Sequence, residues 1–179
     1  MRTLILYTSA TGGTQKYAED IATGIQGDVF PLKKYKWKDI DDYDTVVYGG
    51  WVMGGKIQGI DDFLAHFDEM EKKNVLIFAS GMGYPSPESR DNLISTNVLD
   101  IYHVRFYQLR GSFDYSKLRF PYSLIMKTSL RQMRNDPNLE SQSEMMESLK
   151  DHPLEFYDAQ GIDKILSVLH RLSTIENKA

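Results

Sequence analysis

Short apolar runs alternate with helix-patterned segments along this chain, and the alternation constrains its fold more than any other feature. Residues 3–7 form a continuous apolar run, which is typical of a strand buried on both faces. Four more strands are predicted at 28–31, 45–49, 74–79 and 104–109. Apolar residues at helical spacing fill most of the intervals, including 60–70 and, at the end, 162–172. The pattern predicts an α/β fold with a parallel sheet and helices on both faces.

The length of 179 residues suits one domain, and we predict a single domain over 1–179. In a sheet of this kind, ligands bind beyond the carboxyl ends of the strands, at the point where the strand order reverses. Attention therefore falls on the loops after the first, third and fourth predicted strands.

The first of these loops, residues 8–14, holds four hydroxyl side chains and two glycines and leads into a helix. Helix-start N–H groups lack partners and carry partial positive charge, so they attract an anion. An ordinary N-cap would account for one hydroxyl only. The loop contains no Lys or Arg, so neutral donors would hold the anion. We predict a phosphate site formed by Ser9, Ala10, Thr11, Gly12, Gly13 and Thr14.

This loop, Ser9-Ala-Thr-Gly-Gly-Thr14, matches the flavodoxin phosphate-loop pattern S/T-x-T-G-x-T at every fixed position. The chain resembles the flavodoxin-like family that binds flavin mononucleotide (FMN). Its opening Thr3-Leu-Ile-Leu, its Tyr43-Asp44-x-Val-Val and the insert after Gly111 resemble in particular the branch that includes menaquinone-dependent protoporphyrinogen oxidase. The resemblance implies a three-layer fold with a five-stranded parallel sheet in the order 2-1-3-4-5, and an FMN phosphate in the loop.

The resemblance also implies that two further loops contact the flavin ring. The residues of the loop after the third strand are Gly50, Trp51, Val52, Met53 and Gly54, and those of the loop after the fourth are Gly81, Met82, Gly83 and Tyr84. Structural alternatives stay open for the two aromatic residues. Trp51 could instead be buried under the next helix, and Tyr84 could be a surface turn residue.

Two glycine motifs in these loops resemble other nucleotide sites without completing them. Gly50-x4-Gly55-Lys56 fits G-x-x-x-x-G-K, but Ile57 replaces the Ser or Thr that would bind magnesium. Gly81-x-Gly83 is followed by Ser86 where a dinucleotide fingerprint needs its third glycine. Because each motif lacks a required residue, the first argues against ATP or GTP hydrolysis and the second against dinucleotide binding.

Residues 112–157 do not fit the five-unit plan and are predicted to be an insert before the last helix, with helices over about 121–134 and 139–149.

From Arg105 to Arg134 there are seven basic residues and one acidic residue, a net +6, which leaves −10 for the rest of a chain of net charge −4. Segment 117–134 therefore predicts an anionic substrate or a membrane surface as partner, or else a solvated insert. Its apolar stripe could pack on its own protein or contact a partner; the stripe residues are Tyr122, Ile125, Met126, Ser129, Leu130 and Met133.

The resemblance implies an FMN-dependent oxidoreductase that passes electrons from a porphyrinogen or similar donor to a quinone or other acceptor. The alternative is an electron-shuttle protein without its own substrate, and a flavin-free scaffold is a third hypothesis. No catalytic side chains and no metal site are predicted, because the four histidines are scattered and the chain has no cysteine. The net charge argues against a nucleic-acid role. The absence of a signal-peptide pattern predicts a cytoplasmic location, with peripheral membrane attachment through the insert as a variant.

Overall fold

The computed structural model describes residues 1–136 and 140–176. Its strands are β1 (Thr3–Thr8), β2 (Asp28–Pro31), β3 (Thr45–Met53), β4 (Lys56–Ile57), β5 (Asn74–Gly81) and β6 (Arg105–Arg110). Its α-helices are α1 (Gly13–Ile25), α2 (Ile60–Leu64), α3 (Pro87–Thr96), α4 (Tyr122–Arg134), α5 (Glu140–Ser148) and α6 (Ala159–Glu176). Short 3-10 turns join several of these elements.

Five of the strands form one parallel sheet in the order β2-β1-β3-β5-β6. This arrangement confirms the predicted three-layer α/β fold. The order reverses between β1 and β3, which places the loops after β1, β3 and β5 at a common edge. One detail differs from the prediction, because the sheet has a sixth strand: β4 pairs antiparallel with the end of β3.

The two faces of the sheet carry separate apolar cores. Alternate residues of each strand point to opposite faces. Thus Leu4 and Leu6 pack with Ile77 on the side covered by α2 and α3, while Ile5 packs with Phe78 on the side covered by α1 and α6. The alternation fixes the register of the strands, because a slip by one residue would exchange the two cores.

The apolar stripe over 60–70 is interrupted in a way that its spacing does not indicate. Helix α2 ends at Leu64, and a 3-10 turn follows at Phe67–Met70. Ile60, Phe63 and Met70 are nevertheless fully buried in the same core. The apolar residues of the stripe are therefore buried although no continuous helix carries them.

Between β6 and α6 the chain forms a third apolar cluster, which lies against the loops at the edge of the sheet. Helices α4 and α5 pack on each other here, and the Arg134 guanidinium donates to the Glu147 carboxylate between them. An isolated bridge between Phe113 and Leu154 holds the two ends of the insert together. Leu139, where the second insert helix is predicted to begin, lies outside the described residues. We call α4 and α5 together the helical roof.

Candidate functional site

The loop between β1 and α1 has an unusual helix start. Gly12 is the N-cap residue of α1 and has a φ of +97°, a conformation that favours glycine. No side chain caps the helix, and its first turn contains no acidic residue. The Ser9 hydroxyl accepts a hydrogen bond from Gly12 N at 3.1 Å and thereby closes the loop.

These features fit a phosphate group. A Cβ added at Gly12 would meet no atom within 4 Å, so the space beside this residue is open. Amides of the first helical turn point toward the N-terminal end of the helix, where an anion is stabilised by about 0.3–1 kcal/mol at an exposed site. With no side chain satisfying those amides, the loop offers donors and partial positive charge to a phosphate.

Two serines from elsewhere in the chain support this loop. The buried Thr14 hydroxyl lies 2.7 Å from Ser80 Oγ, at the end of β5. A Cβ at Gly13 would lie 2.8 Å from Ser112 Oγ, so the backbone of the loop approaches Ser112 closely. The loop is therefore positioned by the ends of β5 and β6. The Thr14 hydroxyl, predicted as a phosphate donor, is engaged with Ser80 and can offer a phosphate only its remaining hydrogen-bonding capacity.

The loop after β3 is the tight turn of a β-hairpin. Gly54 and Gly55 have φ of +58° and +78°, as a two-residue turn with positive φ at both central positions requires. The side chain of Asn97, which is 1% exposed, donates to Gly55 O at 3.0 Å and accepts from Ile57 N at 2.8 Å. This turn explains why β4 forms, and the asparagine fixes the hairpin against the end of α3.

Trp51 is buried, but under the helical roof and not under α2. Its ring lies edge-on to Tyr122 at the start of α4, with centroids 4.9 Å apart. Its indole Nε1 is buried and has no hydrogen-bond partner among the described residues. Met53 and Met82 pack against the same cluster. The two predicted ring loops and the insert therefore form one continuous apolar surface.

Tyr84, in the loop after β5, is highly exposed and lies over the side chain of Arg110. The guanidinium carbon is 3.9 Å from the centre of its ring. Gly83, next to it, would meet no atom within 4 Å if it carried a Cβ. In this structure, then, Tyr84 covers an arginine, and its predicted contact with the flavin ring stays a prediction.

Two cavities flank the loop after β5. The first, which we call the roof cavity, has a volume of about 370 Å³ and lies between the two ring loops and the roof. Its lining includes Trp51, Met53, Ser80, Met82, Phe113, Ile125, Met126, Ser129, Met133 and Met146. The second, which we call the outer cavity, has a volume of about 390 Å³ and lies on the α3 side of the loop. Its lining includes Tyr84, Leu93 and Gln108. Val52, Gly81 and Met82 line both. Both volumes lie within the range of small-molecule sites.

Several tyrosines around the site are buried and neutral. Tyr17 donates to Arg110 O at 2.5 Å and accepts from Asp158 N at 2.7 Å, and burial raises the pKa of its hydroxyl. Burial also raises the pKa of Tyr48, whose hydroxyl is bonded to Thr8 Oγ1 at 3.0 Å below the phosphate loop. These hydroxyls lock the edge of the sheet in place and do not supply acid–base chemistry near neutral pH.

Within residues 1–136 and 140–176, no group of His, Asp or Glu side chains is arranged to hold a metal ion. None of the described helices has the length and apolar character that crossing a membrane requires.

Comparison with known proteins decides the family. The family model described as Flavodoxin domain matches residues 4–140. The chain belongs to the flavodoxin domain family. Flavodoxin domains bind FMN, and the chain is accordingly an FMN-binding electron-transfer protein. The open phosphate loop and the apolar cavity beside it fit the two ends of that cofactor.

Solved structures with a similar chain path include several flavodoxins. An archaeal flavodoxin is 19% identical, with 62% of this chain and 83% of that chain covered and a TM-score of 0.44. Two-electron reduced Megasphaera elsdenii flavodoxin is also 19% identical, with 60% and 83% covered and a TM-score of 0.48. The Trp repressor binding protein of Bacillus subtilis is 14% identical, with 62% and 85% covered and a TM-score of 0.48. Among curated protein sequences, none matches the chain significantly.

The structure brings the three predicted loops to one edge, and it adds residues that the sequence analysis did not assign to the site. Ser80 directly follows a predicted strand and Ser112 directly follows Gly111, where the insert begins, so both could have been noted. Phe113 and the roof methionines carried only an apolar pattern, which does not say what they pack against. No sequence pattern indicated a role for Asn97, since a lone asparagine near a helix end is common.

Proposed function

We propose that this protein is an FMN-dependent oxidoreductase of the protoporphyrinogen-oxidase-like type, which acts on a small molecule and not on a docked protein. Overall, a reduced donor such as a porphyrinogen loses two electrons and two protons, and a quinone accepts both to become a quinol. FMN, when bound, supplies the redox chemistry. The chain's own residues bind the cofactor, position it and exclude water.

We assign the cofactor contacts to the three loops at the edge of the sheet. Residues 9–14 hold the phosphate through amides and hydroxyls. Residues 50–54 and 81–84 contact the ring, with Trp51 and Met82 as its apolar neighbours. Support comes from the uncapped start of α1, from the open space beside Gly12 and from the cavity that both ring loops line.

The observation that carries the proposal is the helical roof over the ring loops. A shuttle protein exchanges electrons with a protein partner and needs an exposed cofactor edge. Here Met126 and Leu130 of α4 are buried against Trp51 and the ring loops. The two adjoining cavities give room for a planar ring and for a second apolar molecule, which favours a small reactant over a docked protein.

The test is electron transfer by the FMN-loaded protein. The protein is mixed anaerobically with protoporphyrinogen and menadione, and porphyrin formation is followed by its absorbance. We expect catalytic turnover in the wild type. Ser129→Leu, which fills the roof cavity, should slow turnover at least tenfold, whereas Thr128→Leu, on the exposed face next to it, should not. An FMN-loaded protein that reduces no quinone and oxidises no porphyrinogen contradicts the proposal.

The redox potentials of the bound FMN distinguish the electron-shuttle hypothesis from the enzymatic one. Two well-separated one-electron steps with a very low second potential are expected of a shuttle. A single two-electron step is expected of the enzyme. A spectroelectrochemical titration distinguishes them, and the first outcome would replace the enzymatic proposal with the shuttle.

For the partner of the insert, we propose an anionic membrane surface. The outer side of the roof combines the exposed apolar residues Phe120 and Leu124 with Lys127 and Arg131, which have no ion pair within the described part of the chain. Exposed apolar groups beside cations are typical of interfacial helices. Lys127→Glu with Arg131→Glu should abolish cosedimentation with phosphatidylglycerol vesicles, and Lys33→Glu with Lys34→Glu should not. Failure of the wild type to bind these vesicles rejects a membrane partner.

A further inference from the structure

The side chain of Arg110, at the end of β6, contacts two aromatic rings. Its guanidinium carbon lies 3.9 Å from the ring centre of Tyr84 and 4.3 Å from that of Phe156. Tyr84 belongs to the loop after β5, and Phe156 belongs to the segment that returns from the insert. Contacts with the two rings restrict the movement of the planar guanidinium, whose edge carries the N–H donors.

No anion within the described residues neutralises this guanidinium. Seven other cations have a carboxylate within 4 Å, and Arg110 does not: Arg2, Lys16, Lys56, Arg90, Lys117, Arg134 and Lys150. Arg110 has no ion pair and no side-chain hydrogen bond there, and its Nε is buried without a partner. An unsatisfied buried donor is costly to a folded protein, so the arrangement favours binding of an acceptor.

The position of Arg110 places that acceptor beside the proposed reaction site. Arg110 is the strand partner of Gly81, which lines both cavities. Tyr84, the ring stacked on the guanidinium, lines the outer cavity. Tyr17 fixes the backbone of this residue by its hydrogen bond to Arg110 O. Arg110 therefore has a fixed backbone and lies next to residues that line both cavities.

From these observations we infer that Arg110 binds the carboxylate of an aromatic reactant that enters the outer cavity. This inference rests on the proposed function and names the substrate class. A single planar guanidinium matches the planar, two-oxygen geometry of a carboxylate. The two rings that contact the guanidinium offer an aromatic surface to an aromatic acid. Arg90 is paired with Asp91 and does not offer a dianionic phosphate a second free cation.

The test compares binding of 2-naphthoate and of its neutral analogue 2-naphthamide to the FMN-loaded protein by calorimetry. We expect the wild type to bind the acid roughly tenfold more tightly than the amide. Arg110→Gln should remove that preference, and Arg110→Lys should keep only part of it, because lysine cannot form the two-pronged contact. Arg105→Gln, at the other end of β6, is the matched control and should keep the full preference.

Inorganic phosphate is measured in parallel, and phosphate binding that depends on Arg110 without a naphthoate preference overturns the carboxylate assignment. A wild type without preference, or an Arg110→Gln protein that retains it, overturns the inference as well. The same titration on the cofactor-free chain separates this inference from the proposed function, because the described stack requires no cofactor. A chain that takes up no FMN but prefers naphthoate through Arg110 refutes only the function.

Discussion

A negative charge placed in the phosphate loop should weaken FMN binding without weakening the fold. Thr11 precedes the N-cap residue of α1, is partly exposed, and lines a surface cavity together with Gly13 and Ser112. Its hydroxyl has no hydrogen-bond partner within the described residues. Thr11→Glu therefore removes no internal contact, and its only large effect is the new carboxylate beside the proposed phosphate.

The size of the effect follows from the charges. Two unit charges 4 Å apart near a protein surface repel by about 4 kcal/mol. Screening by 0.1 M salt and side-chain freedom reduce this to about 2–3 kcal/mol, which corresponds to a roughly 30- to 150-fold loss of affinity. In the cofactor-free chain the same carboxylate lies near the positive end of α1, where its effect is favourable by about 0.3–1 kcal/mol at most. Stability of the free protein should therefore stay equal or rise slightly.

The assay is a titration of flavin fluorescence with FMN and, separately, with riboflavin, which lacks the phosphate. FMN should lose affinity in Thr11→Glu, riboflavin should change little, and the neutral variant Thr11→Gln should bind both nearly as the wild type does. Thermal unfolding of the cofactor-free proteins provides the stability comparison. Equal losses for FMN and riboflavin, or equal effects of Glu and Gln, would refute a phosphate site in this loop.

Three further outcomes are expected. Thr14→Val and Ser80→Ala should each destabilise the protein by about 1–3 kcal/mol in urea unfolding, and the double variant by less than the sum, because each single change leaves one buried hydroxyl unpaired. Leu130→Ala, in the roof cluster, should cost about 2–4 kcal/mol by the same measurement, whereas the exposed Leu124→Ala should stay within about 0.5 kcal/mol. Burial and the hydrogen bond to Asp28 raise the pKa of Tyr43 to about 12, above an unfolded value of about 10. Stability should therefore be intact below about pH 10 and fall as the pH rises toward 12, and Tyr43→Phe should flatten that fall; equal slopes would contradict it.

The fold was predictable because local and global signals agree. Residues such as Ile5 and Leu6 form continuous apolar runs, and only a strand covered on both sides buries such runs completely. The proposed phosphate loop could be predicted for a related reason, since a phosphate site depends on backbone amides and small residues in a fixed order. The family match to residues 4–140 agrees with the predicted fold.

The details that escaped prediction depend on geometry that periodicity does not encode. The hairpin at Gly54 and Gly55 requires positive φ at two successive residues, and two glycines permit that conformation without demanding it. The interruption of the helix after Leu64 leaves Phe63 and Met70 buried, so the apolar pattern is the same with or without it. The contact between Thr14 and Ser80 joins residues 66 positions apart and has no local signature.

The roof shows most clearly what the sequence left open and why the answer bears on function. The stripe that includes Met126, Leu130 and Met133 is compatible with packing on the chain itself or on a partner, because both bury the same apolar surface. In the structure it packs on Trp51 and the ring loops, so the face that remains outside is the one with Leu124 and the unpaired cations. The helical roof restricts the access of a protein partner to this site more than it restricts the access of a small molecule. The choice between shuttle and enzyme therefore depends on whether the roof stays closed over bound FMN. Hydrogen exchange of α4 in the FMN-loaded protein measures this directly: slow exchange favours the enzyme, and exchange as fast as in an exposed loop favours the shuttle.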